Sequence, residues 1–317
     1  MPYEDRNLLV AVDGSPQSRD VLCYLAGMMP REGARFTLLH VLVGIPETLH
    51  QGSALEELRR QGLDTESWLE RRTKAIHRFM EWAGGFLVES GFASGSIRTL
   101  VRERQVGVAR DIAAEAGKGY DALVLGRHGM SEVKELILGS IANKLVCHLC
   151  QLPVWVVGGC PDPGGILVAM DASPGARRAL GHAARIASPV GSRILLLHVL
   201  QGLDVSEASS SPDGGEMPWK ELAAEEKRRA EEDMSVVFRE CLGDLRSRGI
   251  DLAKVEARVV LGGYSRALTI IGEALEGGFG TIVVGRRGLS QVQEFFMGSV
   301  SNKILQLAKG LAVWVVH

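Results

Sequence analysis

Short apolar runs alternate along the chain with longer segments whose apolar positions recur at helical spacing. In the first half the runs Leu8 to Val12, Phe36 to Val43, Ile97 to Val101, Ala122 to Leu125 and Val154 to Val157 predict strands. The segments between them predict helices over Pro16 to Met29, Ala54 to Ser90, Val106 to Ala116 and Ile141 to Cys150. The series returns in the second half, with strands at Ile166 to Met170, Arg193 to Leu200, Val255 to Leu261, Thr281 to Val284 and Val313 to Val316. Its helices are expected at Pro174 to Ala187, Trp219 to Arg248, Tyr264 to Leu275 and Val300 to Ala308. Runs such as ALVL and TIVV, apolar at every position, suit strands buried on both faces of a parallel sheet. Strands that alternate with helices imply right-handed βαβ crossovers, so each half is expected to be a doubly wound α/β domain.

The halves are copies. LLVAVDGSP from Leu8 matches ILVAMDASP from Ile166, and LLHVL occurs at both Leu38 and Leu196. Between Gly126 and Val157, 15 of 32 positions are identical to their partners from Gly285 onward, in order, which marks a tandem duplication rather than shared composition. The domains are placed at 1–157 and 166–317, joined by GGCPDPGG at 158–165, a segment too rich in glycine and proline for regular structure.

The motif on which each half turns is GRHGMSEVKELILGS, Gly126 to Ser140, and GRRGLSQVQEFFMGS, Gly285 to Ser299. Two residues separate the first pair of glycines, nine the second pair, and a serine follows. The motif lies between a buried strand and a helix. Glycine there permits close backbone approach or positive φ, the serine is expected to act as N-cap, and a helix N-terminus favours an anion. The alternative, glycines that only make a tight turn before a capping serine, is the less favoured reading because both copies keep the same spacing.

Both first strands end in Asp-x-Ser-Pro, at Asp13 to Pro16 and Asp171 to Pro174. Serine followed by proline is a helix start, with serine as N-cap and proline at N1. The aspartates sit at the carboxyl edge of a parallel sheet, where ligands of open α/β folds bind. A ligand-facing role is preferred to a loop-stabilising Asx turn. Arg127, His128, Arg286 and Arg287 lie inside the glycine loops, where they either neutralise phosphate or stand as solvated charges. His40 and His198 are read as hydrogen-bonded structural residues. Cys147-His148-Leu149-Cys150 has no second ligand pair and no counterpart in the other half, which argues against a metal. Two variable loops, Gly44 to Ser53 and Gln201 to Pro218, leave the same sheet edge and are candidate lids. KELAAEEKRRAEED from Lys220 reads as a solvated helix face with i,i+4 pairs.

Composition changes little in this picture. A length of 317 residues suits two domains, and 46% hydrophobic with 23% charged residues is ordinary for a globular chain. A formal charge of −2 provides no field for nucleic acid. The polar start MPYEDRN and the absence of an apolar run of membrane length lead to the expectation of a cytoplasmic protein without membrane attachment. Five cysteines at irregular spacing do not form a disulfide framework.

Five-stranded halves that begin VAVDGSP, carry LLHV on the second strand and place G-x2-G-x9-G-S after the fourth resemble the universal stress protein family, specifically its tandem two-domain members with the ATP-binding type of glycine motif. The resemblance covers almost the whole chain. It implies a Rossmann-like sheet of order 3-2-1-4-5 in each half, a site between the first and fourth strands, and pairing of the last strands in an internal pseudo-dimer. Further homodimerisation is left open. It implies ATP or another adenine nucleotide as ligand, with Mg²⁺ left open. The first site would use Asp13 and the backbone of Val41 near the adenine, Gly126, Arg127 and Gly129 along ribose and phosphates, and Gly139, Ser140 and Ile141 at the terminal phosphates. The second would use Asp171, Val199, Gly285, Arg286, Gly288, Gly298, Ser299, Val300 and Ser301. Ala142 stands opposite Ser301, so a phosphate-binding hydroxyl is expected in the second half alone. The function implied is a nucleotide-binding stress or signalling protein that acts on an unidentified protein partner. The alternatives are a slow ATPase or autophosphorylating enzyme, and an interaction scaffold that binds no nucleotide. No Walker A lysine and no evident general base accompany the loop, and no catalytic residue is assigned.

Overall fold

The computed structural model describes residues 6–44, 65–129, 138–201, 217–263, 265–288 and 297–317. Positions 45–53 and 202–216 of the two loops named as lids lie outside these residues. So do 54–64 of the helix expected from Ala54, residue 264, and the central parts of the glycine motifs at 130–137 and 289–296. The chain forms two compact units divided between Val154 and Trp155, with Gly27–Pro30 counted in the second.

In the first unit β1 (Arg6–Ala11), β2 (Ala34–Leu42), β3 (Ile97–Glu103) and β4 (Ala122–Gly126) form a parallel sheet in the order β3-β2-β1-β4. The connecting helices are α1 (Pro16–Met28), α2 (Thr65–Glu89) and α3 (Val108–Ala116). Leu8, Leu9 and Val10 of β1 and Ala122, Leu123 and Val124 of β4 are wholly excluded from solvent, which accounts for their unbroken apolar runs. The edge strand β3 is exposed at Arg98, Thr99, Arg102 and Glu103, and its polar residues discourage pairing with another chain. After β4 come α4 (Ser140–Lys144), a π-helical turn over Leu145–Leu149, and β5 (Val154–Val157). The regular helix expected from Ile141 to Cys150 is thus interrupted: the Cys150 N–H bonds the Leu145 carbonyl, five residues back, at 3.1 Å.

The second unit contains β6 (Gly165–Ala169), α5 (Pro174–Val190), β7 (Arg193–Gln201), α6 (Met217–Ser247), β8 (Val255–Gly262), α7 (Arg266–Glu276), β9 (Thr281–Gly285), α8 (Ser299–Leu307) and β10 (Ala312–Val316). Its strands are parallel in the order β8-β7-β6-β9-β10. In chain order this is 3-2-1-4-5. The charged run on α6 is a solvated face, with Arg229 on Glu225 at 3.0 Å and Lys227 near Glu231 at 3.6 Å, each four residues apart.

Each unit has one reversal of strand order, between β1 and β4 and between β6 and β9. Connections there leave in opposite directions, and a crevice opens at the carboxyl ends of the strands.

Candidate functional site

Each crevice is built first by the turn that follows the first strand. Asp13 Oδ1 accepts hydrogen bonds from the Ser15 N–H at 3.0 Å and the Ser18 hydroxyl at 2.8 Å. Ser15 Oγ caps α1 by accepting from the Ser18 N–H at 3.3 Å. The second unit repeats the turn: Asp171 Oδ1 accepts from the Ser173 N–H at 3.0 Å, and Ser173 Oγ accepts from the Ala176 N–H at 3.2 Å. Both serines therefore cap their helices as expected. Both aspartates also make the Asx turn that was set below a ligand-facing role, and both line a cavity. The turn uses Oδ1 alone of the two carboxylate oxygens.

The second oxygen faces the glycine loop. A Cβ placed on Gly129 would lie 2.5 Å from Asp13 Oδ2, and one on Gly288 would lie 2.8 Å from Asp171 Oδ2. Gly126 would meet Gln17 Cβ at 3.1 Å, and Gly285 would meet the Gly175 backbone at 2.7 Å. None of the glycines Gly126, Gly129, Gly139, Gly285, Gly288 and Gly298 has positive φ. Close packing against the first turn accounts for Gly126, Gly129, Gly285 and Gly288, and left-handed backbone accounts for none of the six.

The far end of each loop is fixed to the strand end. The Gly139 N–H donates to the Arg127 carbonyl at 3.0 Å, and the Gly298 N–H to the Arg286 carbonyl at 2.8 Å. The carbonyls of Gly139 and Gly298 then accept from Asn143 and Asn302, each at 2.9 Å, as α4 and α8 begin. The N-cap residues are thus the glycines, and Ser140 and Ser299 occupy the first helical position, contrary to the expected serine caps. The tight passage under the preceding carbonyl leaves a Cβ at Gly139 only 3.0 Å from Arg127 O, which favours glycine where propensity alone favours serine.

The first cavity, of about 340 Å³, is lined by Asp13, Val41, Gly126, Arg127, Gly129, Gly139, Ser140 and Ile141, every residue expected of it. The second, of about 450 Å³, is lined by Asp171, Val199, Gly285, Gly288, Gly298, Ser299, Val300 and Ser301. Both volumes fall in the range of small-molecule sites. Arg286 is the exception. Its guanidinium Nη1 sits 3.1 Å from His317 Nδ1, and of the two adjacent loop arginines it is Arg287 that lines the cavity. The Arg286 N–H still bonds the Val316 carbonyl at 2.6 Å, so strand geometry runs on to this residue. Burial, aided by Arg286, Arg287 and Arg178, pushes His317 down to about 4.

Ser301 lines the second cavity and also makes a bond within the fold. Its buried hydroxyl donates to the Gly285 carbonyl at 2.7 Å and so ties the helix to the end of β9. Arg127, 4% exposed, lines the first cavity, and burial lowers its pKa from the usual guanidinium value. His40 and His198 each place Nδ1 2.8 Å from a strand-end carbonyl, that of Val12 and Met170 respectively, which is the structural bond expected of them. Burial pushes the Cys150 thiol up to about 11, away from the thiolate that metal or redox chemistry uses.

Some cavity residues escaped the sequence reading. Arg72 of α2 reaches the first cavity, and Val108 and Ile112 of α3 line it at helical spacing; Arg266 and Ile270 of α7 line the second. The Asp111 carboxylate sets α3 in place by accepting the N–H groups of Gln105 at 2.8 Å, Val106 at 3.1 Å and Gly107 at 3.3 Å. The spacing of Val108 and Ile112 was a signal, but only for an apolar helix face.

Comparison with known proteins places this arrangement. The profile of the universal stress protein family matches residues 5–158 and again 165–317. A universal stress protein of Mycolicibacterium smegmatis is 27% identical over 308 residues, covering 95% of this chain and 94% of that protein. Universal stress protein YxiE of Bacillus subtilis is 28% identical over 143 residues, 45% of this chain and 92% of its own length. Among solved structures, a universal stress protein from Archaeoglobus fulgidus superposes with a TM-score of 0.62 at 19% identity, over 98% of this chain and 97% of that one, a likeness of fold. With two consecutive family matches spanning nearly all its length, the chain belongs to the universal stress protein family.

Proposed function

We propose that each unit binds an adenine nucleotide in the crevice at its strand reversal, and that occupancy changes conformation or the binding of a protein partner. The observation that carries this reading is the packing of the glycine loop. It passes so close to the Asp13 and Asp171 carboxylates that a Cβ at Gly129 or Gly288 would force the carboxylate to shift. Its other end is bonded to the glycine that opens α4 or α8. The wall so formed presents backbone N–H groups at a helix start, and such an end stabilises an anion by about 0.3–1 kcal/mol, or up to about 2 when partly buried.

In this reading Ser140 and Ile141, and Ser299 and Val300, receive phosphate through their backbone. Arg127 and Arg287 supply neighbouring positive charge. Asp13 and Asp171, with the strand ends at Val41 and Val199, take the nucleoside. The fit is one of cavity size and of a lining that holds backbone donors, cations, a carboxylate and apolar surface together.

Denaturing release of small molecules from the purified full chain, followed by chromatography and calorimetric titration with ATP, tests the proposal. Adenine nucleotide at one or two per chain supports it. A protein that is empty and gives neither heat nor thermal shift with ATP, AMP or adenosine refutes it.

A further inference from the structure

His40 stands at the end of β2, is 3% exposed, and lines the first cavity. Its Nδ1 lies 2.8 Å from the Val12 carbonyl oxygen. A carbonyl oxygen only accepts, so Nδ1 carries the ring proton and Nε2 presents a bare lone pair. Desolvation keeps the imidazole pKa below the ordinary histidine value; Arg72 and His77 act in the same direction, while the Val12 bond and Asp13 oppose it. The neutral ring is therefore the form present near pH 7. Nε2 is buried and has no hydrogen-bond partner among the described residues. A buried acceptor left unmade is uncommon and destabilising, and one on a residue that lines a cavity gains most from a donor supplied by whatever fills it.

A phosphate or carboxylate oxygen cannot supply that donor. A neutral N–H or O–H can. We propose that His40 Nε2 is a specificity-determining contact of the first cavity, accepting a hydrogen bond from a neutral donor on the nucleoside part of the ligand. This deepens, and rests on, the adenine-nucleotide reading. It fixes the ligand's direction, with base and ribose at the end of β2 and phosphates at the start of α4. An adenosine offers two sources of the donor, the 6-amino group and the ribose hydroxyls. His198 repeats the anchoring bond at 2.8 Å but is only half-buried, so water competes for its ring and the equivalent contact in the second cavity counts for less.

The test uses the full chain with the second cavity closed by Gly288→Val, and titrates ATP, ITP, 2′-deoxyATP and 3′-deoxyATP before and after His40→Asn. Asparagine retains a donor near Val12 O and removes the Nε2 acceptor. The expected result is ATP binding weakened about tenfold by H40N, from the loss of one buried hydrogen bond. The one analogue that lacks the paired donor is weak at the outset and insensitive to H40N, which identifies the source. ATP affinity unchanged in folded H40N, or an equal loss for all four ligands, overturns the proposal. Failure of the unaltered first cavity to bind ATP at all overturns the nucleotide reading with it. Should H40N not fold, ¹⁵N spectra of histidine-labelled protein decide: the Nε2 resonance of His40 moves upfield when ATP is added if the contact forms, and stays in place if it does not.

Discussion

Replacing Gly129 by alanine isolates the close approach on which the site depends, because Gly129 does not have positive φ and alanine adds no backbone strain there. The new Cβ would lie 2.5 Å from Asp13 Oδ2, inside the 3.0 Å that real Cβ contacts respect. The carboxylate is the mobile partner, but it is held: swinging it away loosens the bonds from Ser15 N–H and Ser18 Oγ–H to Oδ1. Hydrogen bonds to a charged acceptor contribute about 1.5–3 kcal/mol each when intact. Weakening two of them without abolishing either places the cost at about 2–4 kcal/mol. At Gly288 the approach is 2.8 Å, and the position of Ser18 is taken by Ala176, so the Asp171 carboxylate is held by the Ser173 N–H without a hydroxyl at that position. G288A should cost about 1–2 kcal/mol. For domains of this size 1 kcal/mol corresponds to about 2–4 °C, so G129A should lower its calorimetric transition by roughly 4–16 °C, about twice the fall for G288A. Hydrogen exchange across residues 13–18 should rise in G129A and be unchanged in G44A, since a Cβ on Gly44 meets nothing within 4 Å. A G129A protein as stable as G44A, or less affected than G288A, would refute the argument that the carboxylate and the loop are packed against each other.

Other outcomes follow from the same geometry. Ser301→Ala removes the hydroxyl donated to Gly285 O and should lower stability by about 1 kcal/mol in thermal unfolding without the loss of ATP affinity that a phosphate contact would entail. Arg287→Gln should weaken ATP binding at the second cavity in calorimetric titration, whereas Arg286→Gln, whose side chain meets His317 instead, should leave it nearly unchanged. His182 and His317 have folded pKa values pushed by burial down to about 3 and about 4, below the ordinary 6.5. The stability that these neutral rings contribute is complete above pH 6.5 and is lost as pH falls from there toward 4, so the melting temperature should drop across that window, and less steeply in His317→Gln.

Duplication made much of this legible, and its imperfections explain what was not. Buried strands such as β4 and β9 announce themselves because both faces are covered and every position must be apolar; their observed ends differ from the sequence reading by one residue, at Gly126 and Gly285. The glycine loops were placed at the right sheet edge for the same reason, since a strand that ends in glycine before a helix has few other geometries. Their internal chemistry was misread where tertiary contact overrides local preference. Serine outranks glycine as an N-cap in isolation, yet the bond from Gly139 N–H to Arg127 O draws the helix start under a carbonyl where a Cβ is crowded. Adjacent Arg286 and Arg287 could not be told apart from spacing, because the choice between them depends on how far strand pairing with β10 continues.

The differences between the copies carry more information than the identities. Ser18 is replaced by Ala176 in the second copy, Val108 by Arg266, and Ala142 by Ser301, all around cavities built from the same elements. Exchange of Val108 for Arg266 puts a guanidinium on the wall of the second cavity where the first has a hydrocarbon, while Arg72 reaches the first cavity from the helix after β2. Positive charge thus enters the two crevices from different helices, and its position relative to the glycine loop differs between them. A ligand that suits one crevice by its charge distribution suits the other less well, even though the strand-end aspartate and the loop are shared. The proposed nucleotide sites are therefore unequal by construction, and two affinities rather than one are the expectation for titration of the intact chain.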